Sequence, residues 1–291
     1  MRYLVAWDGS DISTLALRAT IQVMAQSGDE LMVYHVANLG RHGSDSDFAP
    51  EILEERLAKE LTSAATLHIL VQREDGGIEE VATSSASLAE ASPHLLTLHR
   101  KQSAEAAKIS RRIVDFACDC SADVLVMGST GTKDQNSASF QRTSLGSSAH
   151  LAALSAPCSV VLIRPGYKVQ PKLATVYMVA VDGSQHAMLA LSLCADWARA
   201  DKDEVVCRVF GRPEFTQAVE EKCTLELQEL RRRKKIEYAV IPTELEDSAD
   251  VQGEELAEAA QMCRFRQQAF LVFGARGRSA EDEEDEVPAS Q

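Results

Sequence analysis

The sequence contains none of the short motifs that mark the common nucleotide-processing and hydrolytic enzymes. No Gly-Lys-Ser/Thr tripeptide occurs, so the chain has no P-loop. Neither Gly-x-Gly-x-x-Gly nor Gly-x-Ser-x-Gly is present, which leaves a dinucleotide fingerprint and a hydrolase elbow without support. Asp8 ends an apolar run, but Ser10 stands where a phosphotransfer site would carry a second aspartate. We therefore expect no enzymatic activity, since even a slow ATPase would need a catalytic base that the sequence does not identify.

The sequence also lacks the cysteine and histidine patterns of a disulfide framework or a metal site. Its seven cysteines are odd in number and scattered in spacing, and no Cys-x-x-Cys pair occurs. The seven histidines form no local ligand pattern. We expect reduced thiols that serve as small core residues, no metal site and a cytoplasmic location.

The sequence has fewer basic than acidic residues, with 30 Lys and Arg against 44 Asp and Glu. The formal net charge is −14 at pH 7, and Glu281–Glu286 reads EDEEDE, which argues against nonspecific binding to nucleic acid or to anionic membranes. The first apolar run begins almost at Met1 and is interrupted by Asp8, so we expect no secretory leader. The long uncharged stretch that ends at Ile163 is broken by Pro157 into a helix and a strand, so we expect no membrane span.

The chain repeats itself. Val5–Ser10 (VAWDGS) returns as Val179–Ser184 (VAVDGS) at an offset of 174 residues. The pair Gly128 and Gly131 returns as Gly274–Gly277 at an offset of 146 residues. Two matches of this kind indicate two copies of one α/β unit.

The two offsets differ by 28 residues, so the first copy carries about that many more residues between its anchors. We place this extra segment around Arg73–Ser92 and expect a surface loop or a weak helix there. The preceding stretch, Leu67–Val71, either continues a helix or forms a short strand.

One stretch of the first copy has the features of a phosphate site. The apolar run Val124–Met127 predicts a buried strand that stops at Gly128, with Gly131 three residues further on. Gly146–Ser148 then precedes an Ala/Leu-rich helical segment and a second β-branched run. Glycines allow close approach of an anion, and the first N–H groups of a helix have no partner within it. The glycines are also compatible with a role in turns alone.

Alternation of strands and helices predicts an α/β fold made of two doubly wound, Rossmann-like parallel-sheet units in tandem. Ligands of such sheets bind beyond the carboxyl ends of the strands. Asp8 follows the first strand, Val36 lies at the end of the second and the glycine stretch follows the fourth, so all three are expected at one edge. Asp8 is alternatively only a turn and helix-cap residue, a role that Asp-Gly-Ser fills without a ligand.

The predicted boundaries follow the repeat. Residues 1–165 form the first domain, 166–175 a linker, 176–279 the second copy and 280–291 an acidic disordered tail. The second copy keeps Asp182 but ends after Gly277 without a third glycine, a fourth helix or a fifth strand. We therefore interpret it as a truncated, degenerate copy.

On these residues the first copy resembles the nucleotide-binding members of the universal stress protein (UspA-like) family, which carry Gly-x2-Gly-x9-Gly-Ser/Thr after the fourth strand. Gly128 and Gly131 match the first pair, and Gly146–Ser147 matches the end of the motif. Ala156–Cys158, which leads into the last strand, is also similar to the family. The spacer Thr132–Leu145 has fourteen residues where the family has nine.

The resemblance implies an ATP-binding regulatory protein of the stress response, with ATP bound alone or with Mg²⁺. In such relatives the residue matching Asp8 lies near the ribose, the backbone at the Val36 position contacts adenine, and the glycine loop with its hydroxyls holds the phosphates. The implied site residues are Asp8, Val36, Gly128, Gly131, Gly146, Ser147 and Ser148.

The resemblance further implies that the two copies pair with each other or that whole chains assemble as a homo-oligomer. Neither nucleic acid nor a membrane is expected as a partner. The alternative hypothesis is a protein-interaction module of the same fold that binds no nucleotide, and the longer spacer favours it.

Overall fold

The computed structural model describes residues 1–25, 29–37, 52, 55–57, 68–72, 78–83, 95–102, 106–130, 145–170, 173–200, 202–211, 213–244 and 269–273. The chain divides into two compact units, Met1–Val169 and Gln170–Gln291. Their boundary lies inside the segment 166–175 that the sequence assigns to a linker. The predicted acidic tail, 280–291, lies outside the described residues.

The first unit is an α/β unit built around one sheet. Its strands are β1 (Arg2–Ala6), β2 (Glu30–Ala37), β3 (His68–Gln72), β4 (Ile78–Thr83), β5 (Leu95–Gln102), β6 (Val124–Gly128) and β7 (Ser159–Ile163). Its helices are α1 (Asp11–Ala19), α2 (Ala106–Asp119) and α3 (Ser147–Ser155), and a π-helical turn, Thr20–Met24, follows α1. The strand order is β4-β3-β5-β2-β1-β6-β7.

Every neighbouring pair in this sheet is parallel except β3 and β4. The central strand β1 is buried because both of its faces are covered, as its apolar sequence predicts. On one face, Leu4 and Leu125 pack with Ala117 of α2 and with Ala149 and Ala152 of α3. This packing holds α3 close to the end of β6, where the site is expected.

The second unit repeats the central part of this plan. It contains β8 (Val176–Val181), α4 (Gln185–Trp197), β9 (Glu204–Gly211), α5 (Pro213–Lys234), β10 (Glu237–Glu244) and β11 (Ala269–Phe273). All strands pair in parallel in the order β10-β9-β8-β11. The neighbours of β8 correspond to those of β1, so the predicted fold class, two α/β units in tandem, is confirmed. In the described part of this unit no strand follows β11.

The duplication extends to the hydrogen bonds at the start of each sheet. The ammonium group of Met1 donates to Asp29 Oδ1 at 2.6 Å. At the same offset of 174 residues, the N–H of Thr175 donates to Asp203 Oδ1 at 2.8 Å. The residue after each aspartate donates its N–H to the carbonyl of the same partner, at 2.9 and 3.0 Å. Both copies therefore contain this hydrogen bond to an aspartate, which no short sequence motif predicts.

The segment added to the first copy is partly a strand, so the prediction of a loop or weak helix within Arg73–Ser92 is wrong for Ile78–Thr83. These residues form β4, which pairs antiparallel with β3. Of the two alternatives for Leu67–Val71, a helix or a short strand, the structure shows the strand, β3. β3 adds in parallel to β5, so the hairpin widens the sheet on the side away from β1. Strand pairing satisfies the backbone groups of an acidic segment that has no apolar periodicity of its own.

None of the helices in the part of the chain that the structure describes has the length and apolar character that crossing a membrane requires.

Candidate functional site

Three adjacent parallel strands bring the predicted site residues to one edge of the first sheet. Ala6 of β1 is in register with Tyr34 of β2 and with Met127 of β6. Counting two residues on along each strand places Asp8 level with Val36 and Ser129. This register brings Asp8, Val36 and the end of β6 to the same edge of the sheet.

Asp8 shapes the turn that leads from β1 into α1. Its Oδ1 accepts the N–H of Ser10 at 3.0 Å, and Ser10 Oγ caps α1 by accepting the N–H of Ser13 at 3.1 Å. Gly9 between them has φ +79°, a left-handed conformation that side chains rarely adopt. The carboxylate thus holds the local geometry, as the turn-and-cap interpretation predicts.

The second unit builds the same turn. Asp182 Oδ1 accepts the N–H of Ser184 at 2.9 Å, Ser184 Oγ accepts the N–H of Ala187 at 3.2 Å, and Gly183 has φ +85°. Asp-Gly-Ser therefore folds in the same way in both copies. A ligand role for Asp8 must come from what surrounds it in the first copy.

Gly128 ends β6 in close contact with the start of α1. A Cβ built on Gly128 would lie 2.8 Å from Ile12 Cγ2, 3.1 Å from the carbonyl oxygen of Thr130 and 3.3 Å from the backbone of Ile12. The absence of a side chain is therefore required by packing, and it lets β6 and α1 approach each other at the sheet edge.

Gly146 begins α3 beside the end of β6. Its N–H donates to the carbonyl of Ser129 at 2.8 Å, and its own carbonyl accepts the N–H of His150. Gly146 has φ −63°, which any residue adopts, so its backbone conformation does not demand glycine. No side chain caps α3, whereas serines cap α1 and α4. The N–H groups of the first turn of α3 are thus offered at the edge of the sheet.

The two serines after Gly146 differ in their surroundings. Ser147 is exposed on the first turn of α3. Ser148 Oγ lies 2.8 Å from Ser110 Oγ of α2, and the two hydroxyls share a hydrogen bond. Ser148 therefore also ties α3 to α2. Gly131 lies outside the described residues, as does most of the spacer that follows it.

The sequence did not predict a contact between two rings, Trp7 and His35, next to the site. His35 Nδ1 lies 2.8 Å from the carbonyl oxygen of Trp7, so Nδ1 carries the proton and donates it. The two rings meet edge to face with centroids 6.0 Å apart, and Trp7 Nε1 donates to Thr14 of α1 at 3.1 Å. These contacts join β1, β2 and α1 just before the site. The only sign of these contacts in the sequence is the aromatic residue Trp7 directly before Asp8.

Tyr34 lies in β2, the strand that also contains Val36, and packs this strand against α2. Its ring stacks on Phe116 of α2 with centroids 4.2 Å apart. Burial raises the pKa of the Tyr34 hydroxyl. The backbone of Val36 pairs with Lys101 of β5, so Val36 sits in a strand that is held from both sides.

Comparison with known proteins agrees with this architecture. The sequence model of the universal stress protein family matches residues 1–164. A universal stress protein from Archaeoglobus fulgidus DSM 4304 is similar in structure over 93% of this chain and 84% of that chain, with a TM-score of 0.51 and 15% identity. The search of curated proteins found no match.

Two further solved structures match just over half of this chain. The universal stress protein UspA from Lactobacillus plantarum is 22% identical over 56% of this chain and 97% of that chain, with a TM-score of 0.33. A universal stress protein solved in complex with cAMP is 16% identical over 56% of this chain and 95% of that chain, with a TM-score of 0.34. Identities of this size concern the fold alone.

Proposed function

Because the chain belongs to the universal stress protein family, we propose that its first unit binds one nucleotide, ATP, as a regulatory ligand at the carboxyl edge of β1, β2 and β6. One observation carries the proposal. The N–H of Gly146 donates a hydrogen bond to the carbonyl of Ser129, which holds the start of α3 against the end of β6. β6 lies next to β1, the strand that Asp8 follows. Hydrogen-bond donors at the start of α3 and the Asp8 carboxylate therefore lie beyond the ends of the neighbouring strands β6 and β1.

The donor set suits a phosphate. Backbone N–H groups at the start of a helix, with the positive end of its dipole, favour an anion. α3 begins with glycine and has no side-chain cap, and the exposed Ser147 adds a hydroxyl. Beyond the end of the neighbouring strand β1, the Asp8 carboxylate can accept hydrogen bonds from ribose hydroxyls. Mg²⁺, if it accompanies ATP, would be held chiefly by phosphates and water.

The proposal involves no chemical step. A ligand that binds one arrangement of the protein more tightly stabilises that arrangement, and this suffices for regulation. We propose that the nucleotide regulates either the pairing of the two copies or the assembly of whole chains. We place the protein in the cytoplasm, where ATP is abundant, and the six cysteines in the described ranges are all free, as that location requires.

A protein-interaction module without a nucleotide is the second candidate. Two observations favour it: the spacer Thr132–Leu145 has fourteen residues, and the Ser148 hydroxyl already bonds to Ser110. Both candidates share the fold, so ligand binding separates them.

The duplicated turn supplies a matched test. Asp8→Ala and Asp182→Ala remove the same turn hydrogen bond, so each should lower the free energy of unfolding by about 1 kcal/mol. Only Asp8→Ala should also weaken ATP binding, by about tenfold or more, because a charge-assisted hydrogen bond contributes about 1.5–3 kcal/mol. Calorimetric titration of both full-length variants with MgATP measures the difference. Equal affinities in the two variants would show that Asp8 is a turn residue only.

A further inference from the structure

Two serine hydroxyls meet where α2 packs against α3 in the first unit. Ser110 Oγ of α2 and Ser148 Oγ of α3 lie 2.8 Å apart, and either atom can donate the hydrogen bond between them. Ser110 is buried, whereas Ser148 is half-buried. Ser148 is also the second residue of α3. The pair therefore links a buried hydroxyl of a neighbouring helix to the helix start where we propose that phosphate binds.

Apolar contacts already hold α2 and α3 together. Ile113 and Ala117 of α2 belong to the same buried cluster as Ala149 and Ala152 of α3. The stabilisation that such burial provides depends on the apolar area removed from water and has no direction. A hydrogen bond is directional, and a hydroxyl that lacks one is free to rotate. The particular contribution of the serine pair is therefore to fix the direction in which the Ser148 hydroxyl points.

The number of protons determines which serine must donate when an anion is bound. A serine hydroxyl has one proton to donate and two lone pairs that accept, and phosphate oxygens are strong acceptors. If Ser148 donated to Ser110, its proton would not be available to a phosphate. If Ser110 donates to Ser148, Ser148 keeps its proton. Because the Cα–Cβ bonds of a helix tilt toward its N-terminus, the Ser148 hydroxyl lies on the side of α3 where the phosphate is proposed.

We propose that Ser110 is a positioning residue for the phosphate of the bound nucleotide and acts through Ser148, an inference that rests on the proposed function. With the nucleotide bound, Ser110 donates to Ser148, and Ser148 donates to a phosphate oxygen. Two hydrogen bonds that run in the same direction polarise each other and strengthen the second one. A hydroxyl that is already oriented also loses less freedom on binding. Ser110 thus affects the affinity for a nucleotide without contacting it.

Calorimetric titration of the full chain with MgATP tests the inference in Ser110→Ala, Ser148→Ala and the double variant. Ser148→Ala removes the hydroxyl that contacts the phosphate, so its affinity for ATP should fall about tenfold or more. Ser110→Ala leaves that hydroxyl in place without its donor, so the affinity should fall only about threefold. The double variant should bind ATP as Ser148→Ala does, because Ser110 acts on the phosphate only through Ser148.

The second unit offers a matched control. Ser192 Oγ of α4 donates to Glu226 Oε1 of α5 at 2.5 Å, so Ser192→Ala also deletes a hydrogen bond between a serine and a neighbouring helix. This variant should bind ATP with native affinity. Adenosine, which has no phosphate, serves as the second control, and Ser110→Ala should leave its affinity, measured by competition with ATP, unchanged. Alanine is the best helix former, so all of these variants should fold, which urea unfolding verifies.

Native affinity for ATP in Ser110→Ala would overturn the inference. Equal losses in Ser110→Ala and Ser148→Ala would overturn it too, because a purely structural link between α2 and α3 is broken equally by either substitution. A further loss from Ser110→Ala in the Ser148→Ala background would show that Ser110 acts by another route. In these three cases the native chain still binds ATP and the proposed function stands. Absence of ATP binding to the native chain would instead overturn the proposed function, and this inference with it.

Discussion

Replacing Asp203 with alanine is expected to lower the free energy of unfolding of the second unit by about 3–5 kcal/mol. The Asp203 side chain has no exposed surface. It accepts the N–H of Thr175, the N–H of Arg199 and two guanidinium N–H groups of Arg199, all at 2.8 Å. The alanine variant would leave the buried Thr175 N–H without its acceptor and the Arg199 guanidinium without its carboxylate partner, with the Leu173 carbonyl and the Thr175 hydroxyl as remaining acceptors of the guanidinium. Removal of one partner of a buried, hydrogen-bonded pair has costs of this size.

A second ion pair of the same spacing provides the control. Glu229 pairs with Arg233 at 2.9 Å, also four residues apart, and with Arg232 at 3.4 Å, but the two arginine side chains are largely exposed and the Glu229 side chain is about half exposed. Glu229→Ala should therefore change the free energy of unfolding by no more than about 0.5 kcal/mol. The two tryptophans lie in different units, so in a Trp7→Phe background the fluorescence of Trp197 reports urea unfolding of the second unit. Similar losses for the two alanine variants would contradict the assigned role of Asp203.

Gly128→Ala is expected to destabilise the first unit by about 1–3 kcal/mol, the usual cost of overpacking. The new methyl group would lie 2.8 Å from Ile12 Cγ2, which is attached next to the backbone and cannot swing away. β6 and the start of α1 must then separate at the edge where the nucleotide is proposed to bind. Fluorescence of Trp7 in a Trp197→Phe background measures the loss.

A double-mutant cycle identifies the cause of that loss. Ile12→Ala removes Cγ2, so in this background Gly128→Ala should cost less than half as much. The remaining cost reflects the carbonyl oxygen of Thr130 at 3.1 Å and the Ile12 backbone at 3.3 Å. Strict additivity of the two substitutions would rule out the contact as the origin.

The central part of the fold, and the edge of the sheet where we propose the site, follow from local features of the sequence. β-branched runs such as Val124–Met127 predict buried strands, and the order of strands and helices predicts parallel pairing. The duplicated Val5–Ser10 predicts two units. These features can be predicted from the sequence because each depends on a few consecutive residues and on the right-handed crossover rule.

Other features depend on contacts between distant segments, and the sequence does not reveal them. β4 becomes a strand because β3 supplies its hydrogen bonds, not through a pattern of its own. The bond between Ser110 and Ser148 requires α2 and α3 to pack together.

The stoichiometry of ATP binding to the full chain tests the central claim most directly. Titration calorimetry with magnesium compares the native protein, free of copurified nucleotide, with Gly146→Val. The conformation of Gly146 is open to other residues, so the variant should fold while its side chain obstructs the start of α3. We expect one ATP per native chain and none in Gly146→Val. Absence of binding to the folded native chain would contradict the nucleotide proposal, and two ATP per chain would contradict the assignment of a single site to the first unit.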